Sequence, residues 1–334
     1  MERGLQVMGR KWTKTALIGI LLAAAFLLIS CGQETFEQPY EFEARRLQTE
    51  ETESSRLPAF ADSLCVVWDE DSFEDEEITS EAAALFSLED KEVMFSHNAF
   101  EPLYPASITK VMTALLALKY GTLSDMVTVT DDVIITEEGA TLCHINPGDS
   151  LTLEQLLYGL MLPSGNDAGV AIAVHMAGSV EAFSDMMNEE ARRIGATGTH
   201  FVNPHGLNNE QHYTTAYDLY LIFNEALNLP EPSGKKFRDI ISSTSYYAEY
   251  ENKNGETVSQ TWKGGNWYMT GEREEPKGLT VFGGKTGTTK SAGYCLIMAS
   301  RDDEEKEYIS IILKAESRPG LYDNMTNLIQ KIVD

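Results

Sequence analysis

The order of its predicted elements constrains the fold of this chain most strongly, because strand-like segments lie at both ends and helical segments lie between them. Near the start, residues 82–87 and 93–96 flank a turn, which predicts a β-hairpin. Near the end, residues 294–300 and 308–315 flank a charged turn and predict two further strands. Strands from both ends can pair as one antiparallel sheet. The sequence therefore predicts an α/β (α+β) fold in which the helices form a separate lobe.

The helices of that lobe are predicted from apolar spacing and from the turn residues at their ends. They cover residues 111–118, 153–162, 167–177, 180–194 and 215–228, and a closing helix covers 322–333. The segment 167–177 is hydrophobic on most sides, so it is expected at the centre of the lobe. Residues 63–68 predict a strand, and residues 230–280 predict an irregular region.

Composition limits the partners and chemistries of the chain. Its 334 residues are 43% hydrophobic, which is enough for one large or two small domains. The net charge of −26 argues against nucleic acid as a partner. The six His are scattered, and no phosphate-binding or dinucleotide fingerprint occurs. We therefore expect neither a metal nor a cofactor.

The first 31 residues have the pattern of a targeting segment. A positively charged start precedes the uncharged apolar run 16–30, which is too short for a typical membrane span. The run ends directly before Cys31 and resembles the lipobox of bacterial lipoproteins, which predicts lipidation of Cys31. A plain signal peptide or an uncleaved anchor are the alternatives. The acidic stretch 32–57 predicts a flexible spacer, and 58–334 the folded domain, lipid-anchored at the extracytoplasmic face of the bacterial cell membrane.

Three cysteines remain after Cys31, namely Cys65, Cys143 and Cys295. An odd number gives no disulfide framework in an exported protein. One pair could form, or each thiol could be a small buried hydrophobic group.

The first candidate for chemistry is Ser107-Ile-Thr-Lys110, at the start of the apolar run 111–118. Side chains three residues apart share a helix face, so the Lys110 amine can lie beside the Ser107 hydroxyl. The helix N-terminus favours a neutral amine and a developing negative charge on oxygen. Such a pair activates a serine without histidine. A second copy, Ser233-Gly-Lys-Lys236, is predicted to lie in a loop and not to form a site.

Two further motifs follow in order, Ser164-Gly-Asn166 and Lys285-Thr-Gly287-Thr288. The ordered set S-x-x-K, S-x-N and K-T-G is the signature of penicillin-recognising serine enzymes. Over about residues 60–334 the chain resembles low-molecular-weight penicillin-binding proteins of the serine D-alanyl-D-alanine carboxypeptidase type. Asn203-Pro-His-Gly-Leu207 and His212-Tyr-Thr-Thr-Ala216 match that family as well. The resemblance implies a β-lactamase/transpeptidase-like fold, in which helices flank an antiparallel five-stranded sheet beside a helical lobe.

The resemblance also implies the reaction and the role of each residue. The substrate is the D-Ala-D-Ala end of a peptidoglycan stem peptide, and β-lactam antibiotics are covalent inhibitors. Ser107 is the expected nucleophile, Lys110 the general base and Ser164 the proton relay. Asn166 is expected to bind the substrate amide, and Lys285, Thr286 and Thr288, beside Gly287, are expected to bind the substrate carboxylate. The backbone N–H groups of Ser107 and Thr288 are expected to bind the oxyanion.

Structural roles compete with several of these assignments. Ser164 could cap the next helix, Asn166 could brace its loop, and Thr286 could pair within a strand. His205 and His212 are expected to be loop or core residues and not catalytic ones. Gly165 stands where relatives often have Ala, which we expect to loosen the loop slightly.

Two other functions stay open from the sequence. A class A β-lactamase would need a Glu-x-x-x-Asn loop about forty residues past the second motif, and none occurs around Asn203. A non-catalytic β-lactam-sensing or peptidoglycan-binding lipoprotein could use the same scaffold. Such a protein would have no need of Ser107, Lys110 and Lys285 together.

Overall fold

The computed structural model describes residues 64–67 and 75–334, which belong to the compact unit Pro58–Asp334. Within these residues the strands are β1 (Ala82–Ser87), β2 (Glu92–His97), β3 (Met126–Thr128), β4 (Ser150–Thr152), β5 (Ser245–Glu251), β6 (Thr257–Lys263), β7 (Leu279–Thr289), β8 (Gly293–Asp302) and β9 (Glu307–Ala315). The helices are α1 (Lys110–Tyr120), α2 (Leu153–Met161), α3 (Asn166–Ala177), α4 (Val180–Arg193), α5 (Ala216–Leu227), α6 (Ser233–Ser242), α7 (Trp267–Thr270) and α8 (Arg318–Gln330). The predicted leader 1–31 with Cys31 and the predicted spacer 32–57 lie outside the described residues.

A five-stranded sheet in the order β2-β1-β9-β8-β7 joins the two ends of the described chain. Every neighbouring pair is antiparallel, and β1 pairs with β9 from Ala82 opposite Leu313 to Ser87 opposite Tyr308. Strand β1 is buried along its whole length because helix α8 covers one face of the sheet and the helical lobe covers the other. The prediction of an antiparallel five-stranded sheet with flanking helices is confirmed.

The helical lobe is organised around α1 and α3. All residues of α1 from Lys110 to Leu118 are buried, and so are the first eight residues of α3. The expected central position of the 167–177 segment is thereby confirmed for residues 167–173, whereas residues 174–177 are half-buried or exposed. Helix α2 begins with a capping box, in which the Gln155 N–H donates to Thr152 Oγ1 at 3.1 Å and the Thr152 N–H donates to Gln155 Oε1 at 2.8 Å.

The expectation of an irregular region over 230–280 is wrong. This stretch contains α6, α7 and the hairpin β5–β6, which completes a second sheet of order β3-β4-β5-β6. Burial alternates along β5, where Ala248 and Tyr250 point inward between exposed residues. Tyr246 stacks on Tyr158 of α2 with 3.9 Å between ring centroids, and this contact holds the hairpin against the helical lobe. The expected strand over 63–68 is also wrong in its described part, because 64–67 has no strand structure.

The second S-x-x-K copy lies on a helix and not in the predicted loop, because α6 begins at Ser233. The Ser233 hydroxyl donates to the Leu118 carbonyl at 2.8 Å, and the Lys236 amine pairs with Glu154 at 2.6 Å. Both side chains are therefore engaged with other partners, so this copy forms no Ser–Lys pair.

The described residues also bear on the cysteines, on metal sites and on membrane spans. Cys65, Cys143 and Cys295 are free thiols, and all three are buried, so they pack as small hydrophobic groups. In the part of the chain that the structure describes, no group of His, Cys, Asp and Glu could hold a metal ion. Nor does any helix described there have the length and apolar character needed to cross a membrane.

Candidate active site

The Ser–Lys pair forms at the junction of a short 3₁₀ turn and helix α1. Ser107 lies in the 3₁₀ turn Ala106–Thr109, and Lys110 is the first residue of α1. The Lys110 Nζ lies 2.9 Å from Ser107 Oγ, as the i,i+3 spacing predicts. Ser107 does not cap the helix, so its hydroxyl is available for chemistry.

The surroundings of Lys110 favour a neutral amine. The side chain is fully buried, and its Nζ donates to Asn166 Oδ1 and to the His205 carbonyl oxygen, each at 2.7 Å. Burial lowers the pKa of Lys110 well below its usual value, the nearby Lys285 lowers it further, and Asp167 opposes both effects. A neutral amine has two N–H groups, and here one donates to Asn166 Oδ1 and the other to the His205 carbonyl oxygen. Its lone pair is then free to accept the Ser107 hydroxyl proton.

The second motif brings Ser164 and Asn166 to the same site at the start of α3. Ser164 has a left-handed backbone with φ of 65°, and the Asn166 N–H donates to the Thr141 carbonyl at 2.8 Å. The N-cap of α3 is Gly165 without a side-chain bond, so Ser164 does not cap this helix. Asn166 braces its loop through the backbone and also binds Lys110 through its side chain.

Gly165 is required by close packing and does not loosen the loop. A Cβ at this position would lie 2.7 Å from the Gly159 carbonyl oxygen and from Asp167 Oδ1, and 2.8 Å from Cys143 Cβ. The Gly165 N–H also donates to the Gly159 carbonyl at 3.0 Å. The expectation of a looser loop is therefore wrong, because the space of the missing methyl group is already occupied.

The third motif lies on β7, at the edge of the five-stranded sheet. Lys285 Nζ donates to Ser164 Oγ at 3.0 Å and to the Thr286 carbonyl oxygen at 2.8 Å. Burial lowers the pKa of Lys285 to about 7. A Cβ on Gly287 would lie 2.9 Å from Ser107 N, so only glycine lets β7 cross this close to the turn that contains Ser107.

The structure thus brings the predicted residues together through direct contacts. Ser107, Lys110 and Asn166 form one connected group, and Ser164 with Lys285 forms another beside it. Half-buried Thr286 and exposed Thr288 follow on β7, on either side of Gly287. Cys31 lies outside the described residues, so its predicted lipidation stays a prediction.

Sequence reasoning gave His205 and His212 as loop or core residues, and both are buried. Burial lowers the pKa of His205 well below its usual value and that of His212 to about 3. Reasoning from motifs missed Asp167, whose buried carboxylate accepts the backbone N–H groups of Cys143 at 2.9 Å and Ile145 at 3.2 Å. Its position directly after the S-x-N motif is the one sequence signal that could have indicated it.

Comparisons with known proteins find related sequences. A family model described as D-alanyl-D-alanine carboxypeptidase matches residues 69–317. The chain is 33% identical over 229 residues to D-alanyl-D-alanine carboxypeptidase DacF of Bacillus subtilis, covering 66% of this chain and 54% of that protein. It is also 33% identical over 257 residues to DacC of Escherichia coli, covering 74% and 60%. The chain thus spans little more than half the length of these relatives.

Solved structures give the same picture for the fold. The crystal structure of a Streptomyces DD-transpeptidase superimposes with a TM-score of 0.70 at 28% identity, covering 78% of this chain and 98% of that one. A D-alanyl-D-alanine carboxypeptidase from Mycobacterium tuberculosis superimposes with a TM-score of 0.67 at 26% identity, covering 78% and 94%. The described fold is therefore the one that these DD-peptidases share.

Proposed function

Because this chain belongs to the D-alanyl-D-alanine carboxypeptidase family, we propose that it is a serine hydrolase that removes the terminal D-Ala from D-Ala-D-Ala stem peptides of peptidoglycan. The observation that carries the proposal is the 2.9 Å contact between Ser107 Oγ and the amine of the fully buried Lys110. A neutral amine in this place can take the hydroxyl proton as the oxygen attacks a carbonyl carbon.

The acylation half of the reaction follows from these contacts. Ser107 Oγ attacks the carbonyl carbon of the penultimate D-Ala, and its proton passes to Lys110 Nζ. When the tetrahedral intermediate collapses, the C–N bond breaks and the leaving amine takes up a proton. Ser164 can deliver that proton because its hydroxyl accepts a hydrogen bond from Lys285 Nζ, from which it can take a replacement proton. Water then attacks the Ser107 ester, and one of its protons returns through Ser164 to Lys285. Lys110 returns its proton to Ser107 Oγ, which restores the hydroxyl as the shortened peptide leaves with a carboxyl group.

Lys285 supplies the charge that selects a carboxyl-terminal substrate. In its protonated form its ammonium group, together with the Thr286 and Thr288 hydroxyls on the same strand, can bind the free carboxylate of the terminal D-Ala. The backbone N–H groups of Ser107 and Thr288 supply the oxyanion hole. Donors placed in this way contribute about 3 to 4 kcal/mol each to the stability of the transition state.

We further propose that Cys31 carries a lipid and tethers the enzyme to the extracytoplasmic face of the membrane. The apolar run 16–30 directly before Cys31 supports this proposal. Metabolic labelling with a tritiated fatty acid should mark the wild-type chain and not the Cys31→Ser variant. Equal labelling of both would contradict lipidation at Cys31.

Intact-mass spectrometry after penicillin treatment tests the catalytic proposal. The full chain, solubilised in detergent, is compared with Ser107→Ala, and D-Ala release from a D-Ala-D-Ala peptide is followed in parallel. We expect a stable adduct with the wild-type chain alone, accompanied by D-Ala release that also requires Ser107.

Other outcomes identify the alternative functions. An adduct that disappears within seconds while penicillin is hydrolysed would indicate a β-lactamase. A stable adduct without D-Ala release would indicate a β-lactam sensor. The absence of any adduct would exclude Ser107 as the nucleophile.

A further inference from the structure

The residue before the nucleophile has an unusual backbone conformation. Ala106 has φ of 47°, in the left-handed region that residues with a Cβ rarely adopt. Such a conformation persists only where the surrounding structure enforces it, and it is concentrated at functional sites. Ala106 is in contact with Thr109 and Gly206, and Thr109 in turn contacts His212; none of these three residues has a role in the proposed reaction.

Three successive hydrogen bonds, each donated towards the next residue, lead from the Val202 N–H to the Ala106 carbonyl oxygen. The Val202 N–H donates to His212 Nδ1 at 3.1 Å, so Nδ1 is the acceptor and the neutral ring carries its proton on Nε2. His212 Nε2 lies 2.8 Å from Thr109 Oγ1 and donates to it. The Thr109 hydroxyl in turn donates to the Ala106 carbonyl oxygen at 2.8 Å. We call His212 and Thr109, with these bonds, the positioning relay.

Burial keeps the relay in this one arrangement. Thr109 and His212 are each only 1% exposed, so water does not compete for their bonds. Burial also lowers the pKa of His212 to about 3, with smaller effects from His200 and Lys110. The ring is therefore neutral at physiological pH, and the donor at Nε2 is retained.

A loop packs against the same carbonyl group from another direction. A Cβ on Gly206 would lie 1.8 Å from the Ala106 oxygen, so the loop backbone is in direct contact with this peptide group. Asn203 Oδ1 fixes the loop by accepting the Gly206 N–H at 2.7 Å. The Ala106 carbonyl is thus fixed by the relay and by the loop together.

The fixed carbonyl group also fixes the Ser107 N–H, because both belong to one planar trans peptide group. We propose that His212 is a positioning residue that acts through Thr109 to direct the Ser107 N–H at the oxyanion of the transition state. The proximity of β7 to Ser107 N at Gly287 places this N–H inside the site. This inference rests on the proposed function and adds to it a residue that contacts neither substrate nor nucleophile.

Thr109→Val tests the relay because valine keeps the shape and removes the hydroxyl, and Thr109→Ser is the matched control that keeps it. We expect kcat/KM for D-Ala release to fall about tenfold or more in Thr109→Val, since loss of a whole oxyanion donor costs about a hundredfold. Thr109→Ser should stay within about twofold of the wild-type enzyme. The thermal unfolding midpoint is measured for each variant as a check on folding.

A peptide boronic acid provides a readout that a merely structural role would not change. Its tetrahedral adduct with Ser107 places an oxygen where the oxyanion lies, so its inhibition constant should rise by the factor by which kcat/KM falls. The acid limb of the pH profile should not move, because Lys110 keeps its contact with Ser107. His212→Phe in the Thr109→Val background should add less than about twofold, because the two residues act in series.

Two results would overturn the positioning role: equal activity of Thr109→Val and Thr109→Ser, or unchanged boronic acid inhibition despite lost activity. Failure of the proposed peptidase function is recognised separately, by a wild-type chain that releases no D-Ala. The relay is still tested in that case, through the rate at which penicillin acylates Ser107 in the same variants.

Discussion

Replacing the buried Lys285 by Met should stabilise the folded protein at neutral pH while it removes the activity. Lys285 is 3% exposed, and burial lowers the pKa of its ammonium group from 10.5 to about 7. The unfolded chain therefore binds this proton more tightly than the folded chain does. At about 1.4 kcal/mol for each unit of pKa, this difference lowers the free energy of unfolding by about 4 kcal/mol at pH 7.

Met fills a similar volume without this penalty, but the variant loses two hydrogen bonds. Lys285 Nζ donates to Ser164 Oγ and to the Thr286 carbonyl oxygen, and bonds of this kind contribute about 1 kcal/mol each. We therefore expect the free energy of unfolding of Lys285→Met to exceed that of the wild-type chain by about 2 kcal/mol at pH 7. Because the folded pKa lies below the unfolded one, the penalty is full below about pH 7 and fades as the pH rises towards 10.5. The gain should fade over the same range.

Urea unfolding of the full chain at several pH values between 7 and 10 measures this gain. Lys236→Met is a matched control, since the Lys236 amine is paired with Glu154 and its pKa is raised by that bond. The control should show no gain at any pH. A Lys285→Met variant that is less stable than the wild-type chain at pH 7, or whose gain does not change with pH, would refute the reasoning. Its D-Ala release should fall by about a hundredfold or more.

Three further predictions follow from single sites. kcat/KM for D-Ala release should decline as the pH rises through about 7, because Lys285 then loses the charge that binds the substrate carboxylate; a flat profile from pH 6 to 9 would contradict this. Gly165→Ala should lower the thermal unfolding midpoint by several degrees, because its methyl group would lie 2.7 Å from a backbone carbonyl oxygen, whereas Gly265→Ala, with nothing within 4 Å, should leave the midpoint unchanged. Glu190→Gln should lower the free energy of unfolding by about 3 kcal/mol at pH 7, because the buried carboxylate pairs with Arg193. The pKa of Glu190 is lowered from 4.5 to about 2 in the folded state, so chemical unfolding should show this loss shrinking as the pH falls from 4.5 to about 2.

The spacing of the motifs was enough to predict which side chains meet, but not how the backbone brings them together. The i,i+3 rule placed Lys110 beside Ser107 because the geometry of one helical turn is local. The left-handed conformation of Ala106 is not local, since the Gly206 loop, and His212 through Thr109, act on it from distant parts of the chain. Without a structure, a positive φ at an alanine has no sequence signal.

The missed hairpin β5–β6 has a different physical cause. Its inward residues, among them Tyr246, Ala248 and Tyr250, follow the period of a strand, but exposed polar residues surround them. The hairpin is held by long-range contacts such as the stacking of Tyr246 on Tyr158, which spans 88 residues of sequence and is not a local preference. Strand preference measured on single residues does not contain that contact.

The surroundings of the two buried amines bear on the proposed substrate. Among the described residues, no carboxylate lies within ion-pair distance of Lys110 or Lys285, although the whole chain carries a net charge of −26. The nearby Asp167 accepts backbone N–H groups instead. A substrate that ends in a free carboxylate supplies the missing anion at Lys285 and stabilises its charged form there. Burial is the main cause of the low pKa of Lys110 and the charge of Lys285 comes second, so we expect the base to stay neutral after a bound carboxylate has offset that charge.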